Sequence, residues 1–363
     1  MGHVLVSPLN WGLGHATRDI PVIRSLLAHG HDVTIAACGN ALEVLRQEFP
    51  SCTFRDFPDY SVPFSADRFF LAQFFFSFPF LLKGIAEERR NLAILLAEDE
   101  FDLIISDNRL GVYSDKIPSL FITHQLHYHL PPVAWPAELA GVYLNGILHA
   151  KYDRIIVPDN PPGPLALAGK LSRAETDATR SRAYYAGILT STRRRDVAAD
   201  LDYLILISGP EPQRTGLERI LLPAAEELPG SVAILLGSPK RGGDIACSAD
   251  SCTVVPYAST EEKELLMNRA KTVICRSGYT TMMELAELGK RHALLIPTPG
   301  QPEQEYLAGY YERNGWFPYQ LQHRLDLARD LPRAGQFRGL PEIPGTVENT
   351  RRLYDELLAG YLE

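Results

Sequence analysis

Val273-Ile274-Cys275-Arg276-Ser277-Gly278-Tyr279-Thr280-Thr281-Met282-Met283-Glu284-Leu285-Ala286 reads as a strand that ends at a Ser-Gly turn and passes at once into a helix. Such a turn offers backbone N–H groups and hydroxyls to a diphosphate, and a helix start adds the positive end of its dipole. Glu284 lies about one helical turn further on, within reach of a ribose diol, which a carboxylate recognises by accepting from both hydroxyls. The bland alternative is a solvated helix glutamate, and the Ser-Gly turn before it favours the ligand.

On either side of this run the chain repeats one grammar. Residues 203–208, 232–237, 253–257, 272–275 and 293–297 are short apolar strands separated mostly by helical stretches. Residues 190–202 are polar, contain Arg193-Arg194-Arg195 and show no apolar period, so they read as a linker. Before the linker come strands at 3–8, 32–37, 52–57, 103–107, 120–123 and 154–158, with a helix around 17–29. Short apolar strands alternating with helices imply parallel sheets covered on both faces. The expected fold is α/β, with two doubly wound Rossmann-like domains, 1–190 and 203–345, facing an interdomain cleft. Residues 346–363 are expected to form a helix that returns to brace the first domain. Ligands then bind at the carboxyl ends of the strands.

Trp11-Gly12-Leu13-Gly14-His15-Ala16-Thr17-Arg18 occupies such a position after the first strand. Gly12 and Gly14 let the backbone approach a ligand at a helix N-terminus. Thr17 stands where a dinucleotide fingerprint has its third glycine, which disfavours that ligand. His15 either caps and packs or, with an ordinary pKa near ~6.5, deprotonates a hydroxyl or positions an acceptor. Two further strand ends, Ile105-Ser106-Asp107-Asn108-Arg109 and Thr123-His124-Gln125-Leu126-His127-Tyr128-His129, place Asn108, Arg109 and Gln125 as acceptor contacts. Asp107 or His124 is the base if His15 only positions. The clustered histidines permit a metal, but no spacing rule demands one, and none is assigned.

Composition narrows the partners. The 363 residues are 45% hydrophobic and 22% charged, with a net charge of −8. An acidic protein is a poor match for nucleic acid, because phosphate binding needs a basic surface. Five cysteines lack paired metal spacing and read as reduced thiols. The first residues enter a strand without a signal-type core, so a cytoplasmic location is expected. Residues 68–83 carry seven phenylalanines between Arg68 and Lys83. They fall short of the ~20 apolar residues that span a bilayer. A buried helix start is expected there; the alternative is an aromatic surface dipping into the cytoplasmic face of a membrane, near a lipid-linked acceptor.

The segment Cys275–Glu284, followed by Ala293-Leu294-Leu295-Ile296-Pro297 and Gln301-Pro302-Glu303-Gln304-Glu305-Tyr306, resembles glycosyltransferase family 28. The Gly12–His15 turn resembles the Gly-Gly-His turn of the same enzymes. The resemblance runs coarsely end to end and is specific in these blocks. It implies the GT-B fold, with a first domain that binds the acceptor and a second that binds a nucleotide sugar. It implies an inverting, metal-independent glycosyltransferase of the hexosyltransferase type, using a UDP-sugar as substrate and no cofactor. By this resemblance Glu284 binds ribose, Gln304 reads sugar hydroxyls, and Glu305 stands where a second glutamine is usual. Tyr257 and Ala258 match the uracil loop. Ser208-Gly209 matches a Gly-rich phosphate turn, here interrupted by Pro210 and Pro212, with Arg214 as a candidate positive charge. The diphosphate then sits at Ser277, Gly278, Tyr279 and Thr280, with Arg276 also among the donor-binding residues. Asp200-Leu201-Asp202 resembles the D-x-D of metal-dependent transferases but reads as solvated surface. The alternatives are a nucleotide-sugar epimerase or hydrolase, and a non-catalytic donor-binding partner of another glycosyltransferase.

Overall fold

In β1 (His3–Pro8), Val4 and Val6 point to one face and Leu5 to the other, and all three are buried, so the strand is covered on both sides. The computed structural model describes residues 1–10, 13–59, 70–129, 135–237 and 251–363. The chain divides into two compact units, Met1–Ser191 with Pro344–Glu363, and Thr192–Ile343. In the first unit β1 is followed by α1 (Leu13–Ala28), β2 (Asp32–Ala37), α2 (Gly39–Glu48), β3 (Thr53–Asp56) and α3 (Phe70–Glu98). β4 (Leu103–Asp107), β5 (Ser119–Ile122), α4 (Trp135–His149), β6 (Arg154–Val157), α5 (Asp177–Arg180) and β7 (Ala183–Tyr185) complete this stretch. The strands form a seven-stranded sheet in the order β3-β2-β1-β4-β5-β6-β7, with every pair parallel. Val4, Val6, Leu103 and Ile105 pack under Ile20, Ile23 and Leu26 of α1, whereas Leu5 and Ile104 meet Leu92 and Leu95 of α3.

The second unit runs through β8 (Leu201–Leu206), α6 (Gln213–Glu226), β9 (Val232–Leu235), β10 (Cys252–Val255), α7 (Thr260–Arg269), β11 (Ala270–Cys275), α8 (Tyr279–Glu287), β12 (His292–Leu295), α9 (Pro302–Arg313) and α10 (Leu327–Ala334). Its five strands are parallel in the order β10-β9-β8-β11-β12. One face of the sheet buries Ile205, Ile234, Ile274 and Leu294 beneath Leu217 and Leu221 of α6. Two parallel α/β units are present, as expected from the restart of the strand pattern.

The chain returns to the first unit in α11 (Thr346–Leu353), which winds on through the wider π turns of Tyr354–Leu358 into α12 (Ala359–Leu362). Leu353, Leu357, Leu358 and Leu362 enter the core around α1. Tyr354 lies 2.6 Å from His31 Nε2 through its hydroxyl and stacks on the His29 ring at 3.5 Å. Asn349 donates to the Ile188 carbonyl at 3.0 Å. Gly187 has φ +80, and a Cβ there would lie 2.5 Å from the Asn349 side chain, so both backbone and space require glycine.

Several expectations change in detail. The first helix opens at Leu13 rather than residue 17, which puts His15 in its first turn. α3 passes through Pro79 unbroken, and Phe80 and Leu82 on it are about half exposed; the side chains of the helix start itself, residues 70–78, lie outside the described residues. The residues before Phe70 in that aromatic stretch, and Gly12, lie outside the described residues. Cys252 is disulfide-bonded while Cys38, Cys52 and Cys275 are free, which corrects the expectation of reduced thiols throughout. Asp200 and Asp202 are each ion-paired, to Arg269 and Lys271 at 2.7 Å. Among the described residues no helix is long and apolar enough to cross a membrane.

Candidate active site

β1 and β4 pair so that Pro8 lies opposite Asp107 at their carboxyl ends. Strand order reverses direction there, which is where open α/β sheets bind ligands. α1 opens just beyond β1 and sets His15, Arg18 and Asp19 on one face by i, i+3, i+4 spacing. His15 Nδ1 lies 2.8 Å from Asp107 Oδ1. Arg18 donates through Nε to Asp107 Oδ2 at 2.5 Å and through Nη2 to Asp107 Oδ1. Its Nη1 lies 3.3 Å from His124 Nδ1, in the loop after β5.

The side chain of Asp107 is 0% exposed and that of Arg18 2%, whereas His15 keeps 17%. A carboxylate buried so deeply is stable only when paired and hydrogen-bonded. Burial pushes the Asp107 carboxyl up, but the Arg18 guanidinium and the His15 ring hold it well below the usual carboxylate range. Nδ1 also lies 2.8 Å from Arg18 Nη2; where Nδ1 carries the proton toward the ionised Asp107, the lone pair is left on Nε2. Burial lowers the pKa of His15 by more than the Asp107 charge raises it, and Arg18 lowers it further. The result is a neutral imidazole with an oriented Nε2 and a fixed negative charge behind it. Such a group can take a proton from a hydroxyl.

In the second unit β8 and β11 are neighbours, so the loops at Ser208-Gly209 and Ser277-Gly278 leave the sheet side by side at its switch point. Buried Arg276 ties them together. It donates to the carbonyls of Ile296 at 3.1 Å, Gln213 at 3.1 Å and Ser208 at 3.4 Å, and to Gln322 Oε1 at 2.8 Å. Gly209 sits at φ +113, a conformation that favours glycine, with its open side 3.5 Å from Thr298 Oγ1. Ser277 donates to the Gln304 carbonyl at 2.8 Å, and Gln304 Oε1 accepts from the Thr298 N–H at 2.9 Å. α8 starts at Gly278 without a side-chain cap. Its first N–H groups are therefore ones the helix itself cannot satisfy. Buried Glu284 receives Lys263 Nζ on both oxygens, at 2.7 and 2.8 Å.

Residues 242–331 match the glycosyltransferase family 28 C-terminal domain. The chain carries a family 28 glycosyltransferase domain. An uncharacterized glycosyltransferase of Methanosarcina acetivorans is 24% identical over 329 residues, which span 84% of this chain and 82% of that protein. Among solved structures the fold is similar to the glycosyltransferase of kitacinnamycin, with TM-score 0.65 and 15% identity over 99% of this chain and 95% of that one. MurG of Acinetobacter baumannii matches with TM-score 0.55 and 15% identity over 99% and 100%. The spinosyn rhamnosyltransferase SpnG complexed with thymidine diphosphate matches with TM-score 0.59 and 15% identity over 99% and 96%.

The sequence-predicted residues divide by where their side chains go. His15, Asp107 and His124 come together around Arg18. Gly14 lies in the first turn of α1. Asn108 has φ +55, a conformation uncommon outside glycine, and follows Asp107 directly. Gln125 is half-buried, and its backbone N–H donates to Thr123 Oγ1 at 3.1 Å. Arg109 instead turns inward, donating to Glu88 at 2.8 Å and the Phe57 carbonyl at 3.1 Å, so it braces the unit rather than facing an acceptor. Arg276 is likewise a brace for the donor loops rather than a phosphate contact, and Tyr279 is buried. Arg214 is held by Glu211 and the Leu236 carbonyl. Tyr257 is half exposed, Ala258 and Thr280 half-buried, and Glu305 accepts from the Gly300 N–H at 3.1 Å. Sequence reasoning missed Lys263, Thr298, Arg18 and Asp19. Only Arg18 and Asp19 had a signal, their helical spacing from His15.

Proposed function

We propose that this glycosyltransferase is an inverting, metal-independent enzyme of the hexosyltransferase type that moves a sugar from a UDP-sugar to a hydroxyl acceptor. The observation that carries this reading is the neutral His15 ring oriented by ionised Asp107. The acceptor O–H gives its proton to His15 Nε2 as its oxygen attacks the anomeric carbon. Attack comes from the face opposite the diphosphate. The bond from that carbon to the phosphate oxygen breaks with its electron pair, UDP leaves, and configuration inverts. Charge developing on the diphosphate is met by the N–H groups at the start of α8 and by Ser277-Gly278. The ribose diol is read by Glu284, sharing it with Lys263, and the sugar by Gln304. SpnG, of similar fold, is complexed with thymidine diphosphate, which supports a nucleoside diphosphate as the ligand class.

Calorimetry with a panel of UDP-sugars tests the assignment. Glu284→Ala is expected to weaken donor binding at least about tenfold, the scale of one lost polar contact. His15→Ala is expected to keep donor affinity and lose about 10²–10⁴-fold in turnover, the usual worth of a general base. Chelation with EDTA should leave the rate unchanged. Equal donor affinity in wild type and Glu284→Ala removes the ribose assignment. Sugar released or epimerised without an acceptor would favour a hydrolase or epimerase.

The outward face of α4 supports a lipid-linked acceptor and a peripheral membrane contact. Trp135, Leu139, Tyr143 and Ile147 are all exposed on it. Sedimentation with vesicles tests this.

A further inference from the structure

Asp19 follows Arg18 on α1, one turn beyond His15, in electrostatic contact with Asp107, and has no part in the chemistry described so far. It is 0% exposed, and no donor among the described residues reaches either of its carboxylate oxygens. That is an expensive position for an ion, because a buried carboxylate without a donor is strongly disfavoured. The polar group it meets is itself an acceptor, the Asp107 carboxylate. Two carboxyl groups in contact cannot both ionise readily, and one proton between them turns repulsion into a hydrogen bond.

Which of the two keeps the proton follows from their other partners. Asp107 receives Arg18 through two nitrogens and His15 through Nδ1. Asp19 receives nothing comparable, and burial followed by the Asp107 charge pushes its pKa well up while Arg18 opposes. The charged and titratable groups around the pair are Arg18 and His15 on α1, Asp107 on β4, His124 on the loop after β5 and, in charge contact with His15, Asp59 after β3, itself paired with Arg109 at 3.0 Å. With Asp19 protonated, the Arg18 and Asp107 charges cancel each other.

We propose that Asp19 is a positioning residue, a permanently protonated acid whose O–H donates to Asp107 and so limits how strongly Asp107 holds a proton on His15. This rests on His15 being the base. Three donors then share the Asp107 charge: Arg18, His15 Nδ1–H and Asp19. Removing one concentrates the charge on the others, so the imidazolium becomes easier to form and the ring is less available as a neutral base. An ionised Asp19 would do the same more strongly. The neutral acid therefore lets a histidine wired to a carboxylate remain unprotonated at neutral pH.

Two substitutions separate the possibilities. Asp19→Asn keeps a donor of the same shape and can never carry charge. Asp19→Leu keeps the volume and removes the donor. The readouts are the acid limb of the pH profile of kcat/KM and the ring titration of His15 followed by NMR, the second needing no substrate. Asp19→Asn should leave both unmoved, and Asp19→Leu should shift both upward by about one pH unit, the usual scale for an altered neighbouring charge. The infrared spectrum of the wild type at neutral pH should show a protonated-carboxyl C=O band that is absent in Asp19→Asn. If Asp19 were ionised, both variants would shift the titration downward and the difference spectrum would lack that band. Either result overturns the proposal, as does an unchanged titration in a folded Asp19→Leu. Should Asp19→Leu not fold, the Asn titration and the infrared band still decide. A His15 titration that behaves as expected while no acceptor is ever glycosylated would leave Asp19 in place and refute the transferase mechanism instead.

Discussion

His149 is 2% exposed, lies with its ring 5.1 Å from that of Phe121, and its Nδ1 has no hydrogen-bond partner among the described residues. Burial takes its pKa from 6.5 down to about 4. Between those values the unfolded chain binds a proton that the folded chain refuses, so stability falls as pH drops through that window and levels off below it. At about 1.4 kcal/mol per pH unit the loss approaches about 3 kcal/mol. Asp107 acts in the same sense over a lower range. Its depressed pKa gives stability that is present above about pH 3.9 and is lost only below it. Urea unfolding at pH 7.5 and 4.5 should show wild type losing more stability than His149→Leu, and equal losses would remove the ring from the account. The same contrast between burial and partners explains what sequence could say about the site. His15 and Glu284 were legible because turn and helix position put them near a strand end, and Gln304 through the family resemblance. Arg109 and Arg276 sit in equally suggestive loops. Their guanidiniums turn inward because carbonyls of distant segments, Phe57 and Ile296 among them, are waiting there. No local pattern announces such acceptors. Lys263 and Thr298 escaped notice for the same reason.

α4 makes the corresponding argument for an element. Its buried face carries Gly141, Val142, Asn145, Gly146 and His149. Its outward face carries Trp135, Leu139, Tyr143 and Ile147 at 65%, 47%, 62% and 65% exposure, one every four residues. Glu138 in the first turn is ion-paired with His127 at 2.7 Å, so it adds little free charge to that face. Aromatic and aliphatic side chains on one stripe, with Trp and Tyr among them, suit the boundary between headgroups and acyl chains. Replacing Trp135 and Tyr143 together by serine should reduce co-sedimentation with phosphatidylglycerol-containing vesicles about tenfold or more. The loss corresponds to over ~1.4 kcal/mol of buried aromatic surface. UDP binding should not change. Wild-type protein that stays wholly in the supernatant would sink the membrane contact. This stripe was not legible in advance, because an apolar period says which residues share a face but not which face the fold covers. β7 shows a second limit. Three half-buried residues, Ala183–Tyr185, make a strand only because β6 is there to pair with. The longer strands were readable because burial on both faces demands continuous apolar runs.

Over the whole chain, the restart of the strand pattern after a polar stretch exposed two units before any coordinates. The last amphipathic segment exposed the return to the first. The partners of that return were not readable, since His29 and His31 meet Tyr354 across more than three hundred residues. The second unit, Thr192–Ile343, is thus an insertion within the chain of the first. Every donor candidate from Ser208 to Glu305 belongs to it, and so do the contacts that hold them. Arg276 ties its loops, Lys263 holds Glu284, and Thr298 holds Gln304. Its sheet has its own core of Ile205, Ile234, Ile274 and Leu294. If the donor site needs only these contacts, residues 192–343 expressed alone should bind UDP within about tenfold of the full chain, a difference of ~1.4 kcal/mol. No sugar should be transferred, because His15 and Asp107 are missing. A folded isolated unit that no longer binds UDP would mean that residues of the first unit hold the nucleotide, and the division of labour between donor and acceptor would have to be redrawn.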